Sequence, residues 1–330
     1  LVNSGPDPRS TLAAIEALEL VASLEQQLSV FLPSSEISAI NQGAYERDMC
    51  VEGRLFDLLR RAREIHDATG GAFDITSAPL WRVWGFARRR ARVPSKHEIQ
   101  VAMDSVGMAG LQFDLEQRTV RFTHPRLEIN LGAIGKGYAC DRAADHLLDA
   151  GLRDFLIHGG GSSVVARGSA SDSPRGGWRI DVPHPWLAGN TVARIYLHDQ
   201  ALATSGAAEQ SFMHAGRRLG HILDPRTGWP ADAALSVTVV APWGSDADAL
   251  ATALCVMGLG KAREFCRSRP EIAAIILSFA PQPENLAVEF LNAEALEYEA
   301  NAEATASSGD GATLHCGAAS SQNQTGERGE

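Results

Sequence analysis

The chain lacks any paired-cysteine pattern. Its five cysteines (Cys50, Cys140, Cys255, Cys266 and Cys316) are scattered and odd in number, with no CxxC spacing. Neither a zinc knuckle nor a disulfide framework is therefore indicated. No apolar run reaches the roughly 18 residues that a membrane-spanning helix needs, so no transmembrane segment is expected. No basic stretch followed by an apolar core opens the chain at Leu1, so no signal peptide is read. Basic residues are not in surplus either: 30 Lys and Arg against 40 Asp and Glu leave a net charge of −10. That excludes a general nucleic-acid binder, while leaving room for a local basic pocket around a phosphorylated ligand. What the 330 residues do have is a 45% hydrophobic content, enough for a sizeable core.

From Glu299 onward the large aliphatics vanish except for Leu314. A segment of that composition buries too little apolar surface to offset its ordering entropy, so residues 299–330 are expected to be a disordered tail after a domain spanning 1–298. Apolar spacing predicts a helix entered at Ser10, with Ile15, Leu18, Val21, Leu24 and Leu28 on one face. Further helices are predicted from about Gly53 to Ala68, from about Gly135 to Gly151, from about Ser245 to Met257, and around Ala262 to Arg267. Strand patterns occur at Thr119–Phe122, Phe155–His158, Ser163–Ala166, Trp178–Val182, Val192–Leu197, Leu235–Ala241 and Ile272–Phe279. Strands come in runs rather than alternating strictly with helices. The expected class is α+β, with mixed, largely antiparallel sheets and packed helices.

Three segments could carry chemistry. In Asn130–Gly151, Gly132, Gly135 and Gly137 open the entry to a helix, where unpaired N–H groups favour an anion. Lys136 sits in that first turn, where a cation costs about 0.3–1 kcal/mol unless an anion binds beside it. The spacing matches neither a dinucleotide fingerprint nor a Walker loop, and a solvated lysine at an ordinary turn is the competing reading. In Ser245–Gly258, Asp248 and Thr252 lie four apart and share a helix face. Their oxygens suit a hard cation such as Mg²⁺, though aspartates near a helix start also simply complement the dipole. In Gly220–Pro230, His221 stands at the mouth of a DPRTG turn, either as a general base or as a structural residue. Shorter stretches, Gly70–Phe86, His158–Ser163 and Ala203–Gln210, read as turns.

Taken in order, SSEISAIN, GAFDITSAPLWRVWGF, NLGAIGKGYACDRAADHLL, HGGGSSVVARG, LATSG, HILDPRTGWP and DADALATALCVMG resemble the ApbE family of FAD:protein FMN transferases, over about Leu28 to Phe279. The resemblance implies the ApbE fold, with FAD as substrate, Mg²⁺ as cofactor, and a flavin-carrier protein whose Thr or Ser hydroxyl receives FMN. It implies that Phe31, where the family usually has Tyr, meets the flavin end and that Ala72, Phe73 and Asp74 line the FAD site. Asn130, where the family often has Asp, is implied as a cofactor contact together with Lys136 and Ile222. The metal would be held by the Ala133 carbonyl, Asp248 and Thr252, with Ala251 adjacent, and His221 would be the base. The Met-Gly-Thr signature of the family's first strand does not appear in this sequence. A metal-dependent FAD pyrophosphatase and a non-catalytic flavin-binding assembly factor are the alternatives. Members are often held on the periplasmic side of the inner membrane, which the resemblance favours here, with a cytoplasmic location as the other reading.

Overall fold

The computed structural model describes residues 2–3, 8–88, 90–187, 189–206, 210–279 and 286–301. The amino-terminal half is mostly helical. Strand β1 (Val2–Asn3) is followed by α1 (Pro8–Leu28), α2 (Glu36–Gly43), β2 (Met49–Cys50), α3 (Gly53–Ala68), α4 (Ala78–Val83) and α5 (Lys96–Met103). Next come β3 (Leu111–Asp114), β4 (Thr119–Phe122) and α6 (Gly135–Asp149). A run of strands follows: β5 (Phe155–Gly159), β6 (Ser163–Arg167), β7 (Trp178–Pro183), β8 (Thr191–Leu197), β9 (Ala201–Gly206), β10 (Ser211–His214), β11 (Arg217–Gly220) and β12 (Ser236–Ala241). Helix α7 (Gly244–Arg267) precedes β13 (Ala273–Phe279), β14 (Leu286–Leu291) and β15 (Glu297–Ala300).

The central sheet has seven strands in the order β1-β5-β6-β9-β12-β13-β14, each neighbouring pair antiparallel. Alternation along its strands splits the apolar residues between two faces. Val237, Val239, Ala274 and Ile276 face the larger core, shared with α1, α3, α6 and α7. Val240, Ala273, Ile275 and Leu277 face the second core, against the three-stranded sheet β15-β8-β7. A third, small core joins α4 and α5 to the hairpin β10–β11 through Leu80, Trp84, Ile99, Leu219 and Leu223. The α+β architecture with antiparallel sheets is therefore present.

Several elements depart from the sequence reading. In α1 the buried face is Ala13, Ala17 and Leu24, whereas Ile15 and Leu18 are each 49% exposed. The small alanines let α1 lie close against α6, and that turns the larger side chains outward. The short helices α2, α4 and α5 span too few turns to show a period; α5 is instead defined by a capping box between Ser95 and Glu98. Thr204, Ser205 and Gly206, read as a turn, are the last residues of β9. Glu299 and Ala300, assigned to the tail, belong to β15; residues 302–330 lie outside the described residues. The break between the last two predicted helices is real: Gly258, at φ 74°, interrupts α7.

Candidate active site

The helical half and one end of the central sheet meet at a cleft of about 480 Å³. Its wall includes Phe31, Asp74, Asn130, Ala133, Lys136, His221, Ile222, Asp248 and Thr252. Nine of the residues named from sequence thus converge from five separate chain segments. A neighbouring groove of about 390 Å³ shares Phe31, Ala78, Trp81 and Asn130 with it, so the cleft continues along that side. A larger groove of about 680 Å³ between α3 and the start of α7 holds none of the expected residues, and its Arg61 and Asp246 are already ion-paired.

Each segment is held by identifiable bonds. At the end of α3, Gly70 and Gly71 turn the chain back, and the Asp74 carboxylate accepts the Thr76 N–H (2.7 Å) and hydroxyl (2.6 Å). His66 Nδ1 lies 3.4 Å from the other Asp74 oxygen. The Asn130 N–H donates to Ile75 O at 2.7 Å, which ties this turn to the entry of α6. Asn130 Oδ1 accepts the Gly132 N–H at 2.9 Å, shaping the loop before that helix. Ala72 and Phe73, expected along the cofactor, are each 1% exposed and belong to the large core. They support Asp74 from behind and do not form the cleft wall. Their apolar side chains follow the hydrophobic side of the turn, which the resemblance did not separate from its polar side.

At the start of α6, Lys136 Nζ donates to the Asp248 carboxylate at 3.2 and 3.4 Å, and the Gly137 N–H donates to Asp248 Oδ2 at 3.1 Å. Asp248 is 3% exposed. A buried carboxylate needs such partners, since an unpaired charge there is very costly. Thr252, one turn further along α7, contacts Ser205 through a hydroxyl pair at 3.0 Å. Ala251 is fully buried on the core side of α7 and lies beside these groups without reaching the cleft. His221 follows β11; its N–H donates to Gln210 O at 2.9 Å and its Nδ1 lies 3.3 Å from the same oxygen. The turn beyond it is pinned by Trp84, whose indole N–H donates to Gly228 O at 2.8 Å.

Sequence reading missed part of the wall. Trp81, Ser162, Thr204, Ser205 and Gln210 all line the cleft. The signal for Thr204 and Ser205 was their polarity at the end of a strand, a position where apolar residues would continue the core. Among the described residues no group of three or more His, Cys, Asp or Glu could hold a metal. The oxygens present (one carboxylate, one hydroxyl and a main-chain carbonyl) suit Mg²⁺, which takes few protein ligands and completes its shell with water and phosphate oxygens. The arrangement is a polar cleft combining an ammonium group, a buried carboxylate and an imidazole.

Comparison with known proteins gives the family. The ApbE family model matches residues 5–276, and the chain belongs to that family. The match begins well before Leu28, where the resemblance in the sequence was first legible. Curated relatives named FAD:protein FMN transferase include those of Vibrio cholerae, 32% identical over 243 residues (72% of this chain, 71% of the relative), and Treponema pallidum, 31% identical over 283 residues (79% and 76%). The Vibrio cholerae flavin transferase ApbE superposes with a TM-score of 0.77 at 27% identity, covering 88% of this chain and 92% of that one. The ApbE protein from Thermotoga maritima gives 0.76 at 31% identity with the same coverage.

Proposed function

We propose that this chain transfers FMN from FAD to a Thr or Ser hydroxyl of a flavin-carrier protein and releases AMP. The observation that carries the reading is the convergence of Lys136, Asp248, Thr252 and His221 on one cleft, in a chain of the ApbE family. The amino-terminal end of α6, through its helix dipole, and the Lys136 ammonium favour the pyrophosphate at that end of the cleft. Asp248, Thr252 and the Ala133 carbonyl would hold Mg²⁺, which supplies charge neutralisation on the pyrophosphate oxygens when bound. Asn130 and Ile222 bound the cofactor, and Phe31, 73% exposed at the rim, meets the flavin end.

His221 takes the proton from the acceptor hydroxyl as that oxygen attacks the phosphorus on the FMN side. The new O–P bond forms while the bond between that phosphorus and the bridging oxygen breaks. AMP departs with the electron pair, and FMN remains on the carrier as a phosphoester. The cleft supplies positioning and electrostatics, the main protein contributions to phosphoryl-type transfer.

The test is incubation with FAD, Mg²⁺ and a purified apo flavin-carrier domain, followed by intact mass. Gain of one FMN on the carrier with release of AMP is the expected result. Free FMN and AMP at a rate indifferent to the carrier would make the protein a pyrophosphatase. FAD left intact by the folded protein would make it a flavin-binding factor.

A further inference from the structure

The Asp141 side chain forms its hydrogen bonds outside the cleft lining, yet it is a buried carboxylate, 6% exposed, on the helix that opens the site. We infer that Asp141 is a positioning residue for the metal-binding carboxylate, acting through the first turn of α7. The inference rests on the reading of Asp248 as a magnesium ligand.

The first N–H groups of a helix need acceptors from outside it. The residue before α7, Trp243, provides no side-chain cap. The cap comes from α6 instead: Asp141 accepts the Gly244 N–H at 2.6 Å and the Ser245 N–H at 2.8 Å. The two helices touch at paired glycines. A Cβ on Gly137 would stand 1.9 Å from Gly244 O, and one on Gly244 would stand 2.7 Å from Gly137 O. Asp141 follows Gly137 by four residues, and Asp248 follows Gly244 by four. Each carboxylate is therefore one turn beyond its own crossing glycine and reaches the amino-terminal turn of the opposite helix. Asp141 caps Gly244 and Ser245, while Asp248 accepts the Gly137 N–H at 3.1 Å.

This reciprocity fixes the sliding position of α7 against α6. Arg61 grips Asp246 with two bonds of 2.8 Å, but from α3, on another side of the same turn. The register toward α6 is thus left to Asp141 and to the glycine contact. Without Asp141, the buried Gly244 N–H and the half-buried Ser245 N–H lose their acceptor, α7 shifts to recover one, and Asp248 moves relative to Lys136 and Gly137.

The experiment measures Mn²⁺ binding by electron paramagnetic resonance on the full chain, with FAD present and no acceptor. Wild type is compared with Asp141→Ala, Asp141→Asn and Leu147→Ala, the last a fully buried core residue of the same helix chosen as a stability control. Asp141→Ala is expected to weaken Mn²⁺ binding by about 10–100-fold, as loss of outer-shell support does. Asp141→Asn, which keeps one acceptor, should fall between Ala and wild type. Leu147→Ala should lower the melting temperature and leave Mn²⁺ affinity at the wild-type value. Wild-type affinity in folded Asp141→Ala would overturn the inference, as would equal weakening in Leu147→Ala. If Asp141→Ala does not fold, Asp141→Asn decides: weaker binding supports the role, and unchanged binding refutes it. Failure of wild type itself to bind Mn²⁺ would instead overturn the magnesium reading of Asp248.

Discussion

His221 and Asp141 show how differently single side chains can serve one cleft. His221 borders the cavity from the loop after β11, held there by main-chain bonding to Gln210. If it accepts the hydroxyl proton, His221→Ala should slow FMN transfer by about 10²–10⁴-fold, the usual worth of a general base. FAD affinity, followed by flavin fluorescence, should be nearly unchanged; a comparable loss of FAD binding would make His221 a binding residue. Asp141 acts on stability. Burial pushes its carboxyl up from 3.8 to about 6, against the pull of the Gly244 and Ser245 N–H groups. Between those values the folded protein holds a proton that the unfolded chain has released, so folding stability falls as pH rises. Asp141→Asn cannot titrate. Across urea midpoints from about pH 4 to 7, wild type should lose ground to Asp141→Asn and then hold a constant difference above about pH 6. A difference that does not drift would mean that the fold does not retain the proton.

At the level of elements, the α6–α7 crossing sets Lys136 against Asp248 in the cleft wall. Gly137 is at ordinary helical angles, so its lack of a side chain serves packing rather than backbone freedom. Gly137→Ala would force its methyl into Gly244 O, and overpacking of this kind costs about 1–3 kcal/mol. The expected outcome is a lower melting temperature together with loss of the Mg²⁺ dependence of FAD binding, measured by titration calorimetry. Retention of both would show that the crossing can widen freely. The same crossing marks the limit of what sequence patterns reveal. Helix α3 was legible in extent and in its inward face, because Leu55, Leu58, Leu59, Ala62 and Ile65 all turn inward and Gly70 and Gly71 follow its end. Asp248 and Thr252 were legible as a pair because they share one helix. The cap from Asp141 to Gly244 spans 103 positions and leaves no local trace. In α1 the apolar period was visible, but its phase depended on which residues α6 could accommodate, and alanines won over Ile15 and Leu18.

Across the whole molecule, two large cores flank the central sheet, while the third core is small and lies beside the cleft. That third core brings together α4, α5 and the segment after β11, and so sets Trp81 and Ala78 on one side of the cavity against His221 and Ile222 on the other. Trp84 is its centre. The side chain is fully buried, packs edge-on against Trp229 at 5.3 Å, and donates its indole N–H to Gly228 O. Gly228 has φ 74°, and a Cβ there would lie 2.6 Å from Ile99, so the turn cannot easily re-form elsewhere. A cluster this small has few contacts in reserve, and local opening is drawn from such regions. Trp84→Ala removes the ring and the hydrogen bond, a change worth about 3–5 kcal/mol where the site cannot collapse. The loss should fall on this cluster rather than on the sheet. Native-state hydrogen exchange is expected to show amides of residues 80–103 and 219–230 exchanging faster in Trp84→Ala, with β6, β9 and β12 still protected. If FAD occupies this cleft, it should bind more weakly over the same range of conditions, because one wall of the cleft is held by the opened unit. Uniform loss of protection across β6, β9 and β12 would show instead that the third core and the sheet unfold as one cooperative body.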